Sequence, residues 1–255
     1  MLSREQISRW SCQVLLPEIG LKGQSRLLES SVLIAGVGAL GCGVAGYLAA
    51  AGLGRLVLAD HDIVEIGNLH RQMLYSTADL GVPKVVAAEA RLRSINPAVD
   101  IEAVQEELGE LRTRELAAGV DVVVDCTDSY ESRYAVNAAC LEAGIPLVHG
   151  ACVGFAGQVM TVRRGGPCFR CVCPEPPAPE DRMSCSQVGI IGPVAGIVAS
   201  IMAAEVFKLV LGIPGVLDGV LLAIDAQYNE FAQCAVDVWD ECPDCAAYRV
   251  EVEKR

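Results

Sequence analysis

Positive charge is scarce in this chain of 255 residues. Lys and Arg together number 20, against 32 Asp and Glu, which gives a formal net charge of −12 and an isoelectric point near 4.7. Without a positive surplus the surface is poorly suited to neutralise the phosphates of a nucleic acid, so a general nucleic-acid-binding role is excluded. Any anionic ligand must therefore bind at a local positive site.

The chain also lacks the composition of a disordered, secreted or membrane-spanning protein. Its hydrophobic fraction of 52% excludes disorder, and the opening MLSREQISRW has no apolar core of the kind that a secretion signal needs. Two apolar stretches are long enough to consider as membrane spans. Residues 30–54 contain seven glycines, and residues 188–204 are interrupted by Pro193. We interpret both as buried core elements and predict a cytoplasmic protein that does not bind membranes.

Histidine is rare: the three histidines have no metal-ligand spacing. Cysteine, in contrast, is abundant, with 12 residues. In a cytoplasmic protein, paired cysteines indicate metal ligands or reactive thiols. The pairs Cys168–Cys171 and Cys242–Cys245 each have CxxC spacing, with 70 residues between them. Four thiolates suit a closed, structural zinc site. A redox CxxC, chance spacing, or replacement of Cys171 by Cys173 are the alternatives.

Short apolar strands alternate with helical segments through the first 150 residues. Strands are predicted at 31–36, 55–60, 99–105, 120–125 and 146–151, and helices at 39–51, 84–94, 111–118 and 128–143, which is the pattern of a parallel sheet. From 157–164 onward the strands follow without intervening helices. The sequence therefore predicts an α/β Rossmann-like, mainly parallel sheet with a C-terminal antiparallel extension. The whole chain is predicted to form one domain, with an N-terminal helical arm (1–30), a Rossmann-like part (31–150) and a C-terminal part that contains both cysteine pairs (151–255).

A glycine-rich turn joins the first predicted strand to the first helix. Gly36, Gly38 and Gly41 form GxGxxG, and Asp60 ends the next strand, 24 residues after Gly36. In this context glycines let backbone approach a phosphate at a helix N-terminus, and an acid at the second strand suits ribose hydroxyls. Glycines that only allow close packing are the alternative. The motif does not identify the nucleotide.

Further polar residues follow the predicted strands. Asn68 and Arg71 lie in the loop after the second strand, and Lys84 begins a helix, where its charge opposes the helix dipole and makes better sense if it serves a ligand. Asp125 and Asp128 follow the strand VDVVVD, at the sheet edge where open α/β folds bind ligands and Mg²⁺. Solvated surface residues are the alternative.

Cys185 lies in a segment between a proline-rich stretch, PEPPAPED, and an apolar helix. An accessible thiol near a helix start can act as a nucleophile, but most single cysteines are small buried hydrophobic residues. We leave both interpretations open.

Taken together, these motifs resemble the MoeB/ThiF/HesA family of ubiquitin-activating-enzyme-like adenylyltransferases. The resemblance runs through nearly the whole chain, from VLIAGVGALGCG at 32–43 to SCSQVGIIGPVAGIVAS at 184–200. It implies that MgATP binds together with the C-terminal Gly-Gly of a small ubiquitin-like sulfur carrier of the thiamine or molybdopterin type. The carrier carboxylate would attack the α-phosphate and release pyrophosphate, ahead of thiocarboxylate formation.

The resemblance also implies roles for individual residues. The proposed nucleotide contacts are Gly36, Gly38, Gly41, Asp60, Asp62, Asn68, Arg71, Gln72 and Lys84, with Asp128 on Mg²⁺. Arg9 matches an arginine that reaches the phosphates from a neighbouring subunit, which implies a homodimer. Cys185 matches a thiol that some members use in sulfur handover or conjugate formation.

The chain departs from the family pattern in two respects. Ala39 stands where a second glycine is familiar after Gly38, which restricts how the backbone meets the nucleotide. The sequence ends at CAAYRVEVEKR without a rhodanese domain, so a separate donor, a cysteine desulfurase or a rhodanese, is expected to supply sulfur. The alternatives are an NAD(P)-dependent oxidoreductase, a zinc-stabilised scaffold that binds a carrier without activating it, and an enzyme that adenylates a small molecule or a tRNA base.

Overall fold

The structure, a computed structural model, describes residues 2–178 and 188–248. Its first half begins with α1 (Arg4–Arg9), α2 (Ser11–Val14) and α3 (Gly20–Glu29), and then alternates β1 (Ser31–Ala35), α4 (Ala39–Ala51), β2 (Arg55–Ala59), α5 (Lys84–Ile95), β3 (Asp100–Val104), α6 (Glu110–Ala117), β4 (Val122–Asp125), α7 (Tyr130–Ala143) and β5 (Leu147–Val153). The second half contains β6 (Ala156–Val162), α8 (Phe169–Val172), α9 (Gly192–Leu211), β7 (Val220–Asp225) and β8 (Glu230–Ala235). Short 3-10 turns lie at Ile66–Asn68, Thr77–Asp79 and Ala246–Tyr248.

One eight-stranded sheet forms the centre of the fold, in the order β3-β2-β1-β4-β5-β6-β7-β8. Strands β3 to β5 are parallel, and β5 to β8 are antiparallel. The predicted mainly parallel sheet with an antiparallel extension is therefore confirmed. Strand β1 has β2 on one side and β4 on the other, so the connections that leave β1 and β4 run in opposite directions. The carboxyl ends of β1 and β4 therefore form the crevice in which open α/β sheets bind ligands.

Two apolar cores cover the two faces of this sheet. The larger includes α4, α5 and α9, and the smaller lies under α6, α7 and α8. Among the described residues, α9 is the one helix long and apolar enough to cross a membrane, yet half of its most apolar window is buried and it packs against α4, β5 and β6. It is a core helix here, as the sequence predicts for residues 188–204.

The N-terminal arm, residues 1–30, is not one continuous helix. It forms three short helices, and Trp10, between the first two, is buried with its indole N–H donating to the Ala50 carbonyl at 2.9 Å. Leu27 in α3 is fully buried. The hydrogen-bonded indole fixes the chain direction at Trp10, so α1 and α2 do not continue as one helix.

Candidate active site

The glycine turn between β1 and α4 contains three glycines, which differ in whether the surrounding chain leaves space for a side chain. Gly36 has a left-handed φ of 87°, and a Cβ there would lie 2.9 Å from the Cys126 carbonyl oxygen. A Cβ on Gly41 would lie 2.0 Å from the Gly36 carbonyl oxygen. Close packing therefore accounts for both. Gly38 differs, because a Cβ there would meet only the Gln72 amide nitrogen, at 3.8 Å. The space over Gly38 is left for something other than this part of the chain.

Asp60, directly after β2, fastens this turn. Its carboxylate accepts hydrogen bonds from the backbone N–H groups of Val37 (2.7 Å) and Asp62 (2.8 Å). The half-buried carboxylate thus holds the glycine turn against the loop that follows β2. It still lines the adjoining cavity, where its free lone pairs can accept further hydrogen bonds.

Lys84, the first residue of α5, is paired with Asp62. The Nζ–Oδ2 distance is 2.7 Å, and the Lys84 backbone N–H donates to the Asp62 carbonyl at 2.9 Å. The Asp62 carboxylate also lies 3.3 Å from the His61 ring nitrogen Nε2. The lysine predicted to sit unfavourably at a helix start is therefore held by a carboxylate and points into the cavity.

The loop after β2 brings an amide, a guanidinium and a second amide to the same place. The side-chain oxygen of Asn68 accepts from the Glu65 N–H at 3.0 Å, which closes a 3-10 turn. Arg71 donates to the Gly67 carbonyl at 2.8 Å and contacts the His70 ring nitrogen at 2.8 Å. Gln72 is buried, and its side-chain oxygen has no hydrogen-bond partner within the described part of the chain. A buried amide oxygen of this kind is suited to accept from a ligand.

Asp125, which ends β4, and Asp128, which follows the strand, have separate surroundings. Asp125 is fully buried, accepts from the N–H and hydroxyl of Thr127 with one oxygen (2.9 and 2.6 Å), and contacts His149 Nδ1 at 2.8 Å with the other. Asp128 is exposed to the cavity, and its carboxylate has no hydrogen bond or ion pair with any residue in 2–178 or 188–248. Of this pair, only Asp128 is available to a ligand or a cation.

The surroundings of Asp125 also determine its ionisation. Burial works to raise its pKa, but hydrogen bonds from His149 and Thr127 and the nearby charge of Arg133 outweigh it and hold the pKa below the ordinary value. Asp125 is therefore a buried carboxylate. Sequence reasoning missed His149, because its partner lies on a neighbouring strand and no local spacing links them.

A cavity of about 450 Å³ lies at the carboxyl ends of the parallel strands and collects most of the predicted residues. The predicted residues that line it are Gly36, Gly38, Asp60, Asp62, Asn68, Arg71, Gln72, Lys84 and Asp128. Its size is in the range of pockets that bind small molecules. Arg71 and Lys84, two of the three cations expected at the phosphates, give it positive charge against an acidic background, whereas Arg9, the third, does not line the cavity of its own chain. Gly41 lies outside the lining, where it packs on Gly36.

Two further predicted residues are not placed at the cavity by the described part of the chain. Arg9 is on the surface, where its guanidinium donates to the Ile95 carbonyl at the end of α5. Cys185 lies outside the described residues. The geometry of one chain therefore assigns no role to either of them.

The first turn of α7 contributes a cation that the motifs did not reveal. Arg133 lines the cavity, donates from Nε to the Thr127 carbonyl at 3.3 Å, and has its guanidinium carbon 5.3 Å from the centre of the Tyr130 ring. The position of Arg133 in the sequence, five residues after Asp128, could have indicated this role. A helix that starts at the carboxyl end of a strand has its first turn beside the ligand crevice.

Four cysteine thiols meet away from the cavity, on the α7 face of the sheet. The sulfurs of Cys168, Cys171, Cys242 and Cys245 all lie within 4.8 Å of one another, with 3.7 Å between Cys168 and Cys242 and 3.5 Å between Cys171 and Cys245. Tetrahedral ligands at about 2.3 Å from a zinc ion would be about 3.8 Å apart. Cys173 is not a member, because its sulfur accepts from the Tyr134 hydroxyl at 3.4 Å. This thiol cluster can hold a metal ion.

A buried polar network supports the thiol cluster. The Asn137 side chain accepts from the Phe169 N–H at 3.0 Å and donates to Asp244 at 2.9 Å, and Arg170 donates to the same carboxylate at 2.7 Å. Asn137 thereby joins both CxxC segments to α7. A hydrogen bond with Cys245 and, to a smaller extent, burial raise the pKa of the Cys168 thiol. Four ionised thiols could therefore coexist here only with a bound cation.

Comparison with known proteins identifies the family. The family model described as the ThiF family matches residues 10–244. This chain belongs to the ThiF family. Among curated relatives it is 41% identical to the SAMP-activating enzyme E1 of Haloferax volcanii over 96% of this chain and 90% of that protein. It is 41% identical to the sulfur carrier protein adenylyltransferase of Thermus thermophilus over 95% and 92%.

Other ThiF-family relatives are much longer. The identity to the adenylyltransferase and sulfurtransferase MOCS3 of Mus musculus is 44% over 96% of this chain but only 53% of that protein, so the chain spans about half the length of this relative. Among solved structures, PaaA matches with a TM-score of 0.77 at 25% identity over 92% of this chain and 75% of that one. Escherichia coli MccB with ATP matches with a TM-score of 0.81 at 21% identity over 95% and 75%, which shows a shared fold.

Proposed function

We propose that this ThiF-family chain is an ATP-dependent adenylyltransferase that activates the C-terminal glycine carboxylate of a small ubiquitin-like sulfur carrier. The observation that carries the proposal is the cavity that Gly38, Arg71, Lys84 and Asp128 line together. Among the described residues the space over Gly38 is open, and the Asp128 carboxylate has no partner. A dinucleotide-dependent oxidoreductase would use the glycine turn and Asp60 but leaves these three side chains without a task. The two relatives that the chain matches over most of their length, a SAMP-activating enzyme E1 and a sulfur carrier protein adenylyltransferase, support the same activity.

Different residues of the cavity are proposed to bind different parts of the nucleotide. The backbone at Gly38 approaches the phosphates at the start of α4, and Asp60 accepts from ribose hydroxyls with the lone pairs left by Val37 and Asp62. Asn68, Arg71, Gln72 and Lys84 surround the triphosphate. Asp128 fits Mg²⁺, because its carboxylate, which has no partner within residues 2–178 and 188–248, supplies the hard oxygen ligand that this ion prefers. When bound, the ion neutralises phosphate charge.

The reaction is a substitution at the α-phosphorus. An oxygen of the carrier's C-terminal carboxylate forms a bond to that phosphorus, the bond to the bridging oxygen of the β-phosphate breaks, and pyrophosphate leaves with the electron pair. The carrier acyl-adenylate remains. No proton is transferred, so fixed positive charge on the phosphoryl oxygens contributes more than a general base. Arg71 and Lys84 provide that charge, and the ion pair with Asp62 keeps Lys84 oriented before ATP binds.

A homodimer completes this proposal. Arg9 lies outside its own chain's cavity, on an exposed N-terminal helix. In a dimer, Arg9 of a second copy would add a third cation to the phosphates. The thiol cluster is proposed to hold a structural Zn²⁺, since all four positions are occupied by cysteine and leave no open ligand position. Sulfur would come from a separate donor protein, with Cys185 as the candidate thiol for handover.

The test is carrier-dependent exchange of pyrophosphate into ATP. The purified chain is incubated with Mg²⁺, ATP, labelled pyrophosphate and candidate small carriers that end in Gly-Gly, and each carrier is matched by a version without its last glycine. Exchange that requires the intact terminus supports the proposal. Absence of exchange with every carrier, together with tight binding of NAD, would overturn it. Exchange with a small carboxylic acid alone would redirect it to a small-molecule substrate.

A further inference from the structure

His149 and Asp125 form a buried pair one layer behind the cavity. They lie opposite each other on the neighbouring strands β4 and β5, and both side chains are inaccessible to solvent. Their contact, 2.8 Å between Nδ1 and Oδ2, occupies one of the two carboxylate oxygens. Neither residue lines the cavity, so neither touches a bound nucleotide directly.

The second oxygen of Asp125 shapes the chain that reaches the cavity. It accepts from both the backbone N–H and the hydroxyl of Thr127, which folds residues 125–127 into a tight turn. Asp128 is the next residue after this turn. Its carboxylate has no protein partner in the part of the chain that the structure describes, so the turn itself must determine where it points.

The ring of His149 packs against Phe169, beside the thiol cluster. Its ring centre lies 4.6 Å from that of Phe169, the residue that follows Cys168. Within the described chain, the other ring nitrogen, Nε2, is buried without a hydrogen-bond partner. An aromatic or aliphatic residue would fill this position without an unpaired polar atom. The contact that favours histidine here is therefore the one that Nδ1 makes with Asp125.

We propose that His149 is a positioning residue for adenylation, which holds Asp125 so that the Thr127 turn presents Asp128 to the magnesium ion of the nucleotide. This inference rests on the proposed function of the cavity. It assigns His149 no contact with substrate. In metal sites, residues that orient a ligand in this way typically change metal affinity by about 10–100-fold when they are replaced.

The matched pair His149→Asn and His149→Gln tests the proposal. Asparagine places its amide nitrogen where Nδ1 lies and can still donate to Asp125, whereas glutamine places its amide near the position of Nε2 and leaves Asp125 without that donor. The Mg²⁺ concentration for half-maximal carrier-dependent exchange should rise about tenfold in His149→Gln and stay within about twofold of wild type in His149→Asn. The exchange rate at saturating Mg²⁺ should change much less.

Amide hydrogen exchange provides a readout that does not depend on activity. The Thr127 N–H should lose protection in His149→Gln and keep it in His149→Asn, as measured by mass spectrometry on a peptide that covers residues 125–129. If wild type shows no carrier-dependent exchange, the proposed function fails, and this protection still decides the role of His149. Equal protection and equal Mg²⁺ dependence in the two variants would overturn the positioning role.

Discussion

Lys84 and Asp62 form an ion pair whose two ends face different surroundings. The Lys84 side chain is 7% exposed, whereas that of Asp62 is 51% exposed, with 2.7 Å between Nζ and Oδ2. An ammonium buried to this degree needs the carboxylate, but the half-exposed carboxylate can be hydrated without the ammonium. Loss of the lysine should therefore affect the ligand more than the fold.

The Lys84→Met variant should lower carrier-dependent exchange by at least about 100-fold, which is about 2.7 kcal/mol of transition-state stabilisation. Its melting temperature should stay close to that of wild type, because Asp62 becomes hydrated. The matched control is Lys22→Met, which removes an exposed lysine in α3, away from the cavity. Wild-type exchange in Lys84→Met would show that Lys84 does not contact the triphosphate.

Magnesium dependence should identify the role of Asp128. The Asp128→Asn variant should require at least about tenfold more Mg²⁺ for half-maximal exchange, because an amide is a weaker ligand for this ion than a carboxylate. Asp100→Asn is the control, because Asp100 is the first residue of β3 and lies at the amino end of that strand, whereas the cavity lies at the carboxyl ends. An unchanged Mg²⁺ titration in Asp128→Asn would contradict the assignment.

Mixed dimers can test whether Arg9 acts across subunits. Arg9→Ala and Lys84→Met should each be inactive alone, but a reassembled equal mixture should recover about a quarter of wild-type exchange, because half of the dimers carry one intact site of two. Recovery should require exchange of subunits, which size-exclusion chromatography with differently tagged chains can follow. A mixture as inactive as its parents would place Arg9 in its own subunit's structure, on the Ile95 carbonyl.

Zinc removal should destabilise the fold. Cys242→Ser should reduce bound zinc from about one per chain to a small fraction, and a loss of about 4 kcal/mol would lower the melting temperature by about 8–16 °C. Cys234→Ser, which changes an exposed cysteine on β8, should have neither effect. Zinc content is measured by elemental analysis and stability by calorimetry. A Cys242→Ser chain that retains zinc would rule out the cluster as the binding site.

Acid sensitivity should report the Asp125 pair. Because the folded-state pKa of Asp125 lies below its ordinary value of 3.8, its ionised form stabilises the fold above about pH 4. This contribution is lost as the pH falls from there through the lower folded pKa. Urea unfolding of wild type and Asp125→Asn should therefore differ most near pH 7, by about 1.5–3 kcal/mol, and converge below pH 4. A difference that does not change between pH 7 and pH 3 would contradict this account.

Local signals predicted much of this molecule. The helix Ala39–Ala51 and the strand before it were predicted because an apolar run is followed by a glycine turn. The residues that follow the strand ends were selected as site candidates, and most of them line the cavity. What the sequence did not reveal depends on contacts across the fold. Trp10 divides the N-terminal helices because its indole N–H reaches Ala50, and Asp125 is buried because His149 is its neighbour in the sheet. Nothing in the adjacent residues encodes either contact.

The thiol cluster also determines the connectivity of the folded chain. A cation shared by Cys171 and Cys242 closes a ring whose enclosed segment includes α9, β7 and β8. A cross-link around a ring of this size lowers the entropy of the unfolded chain by an amount worth about 4 kcal/mol.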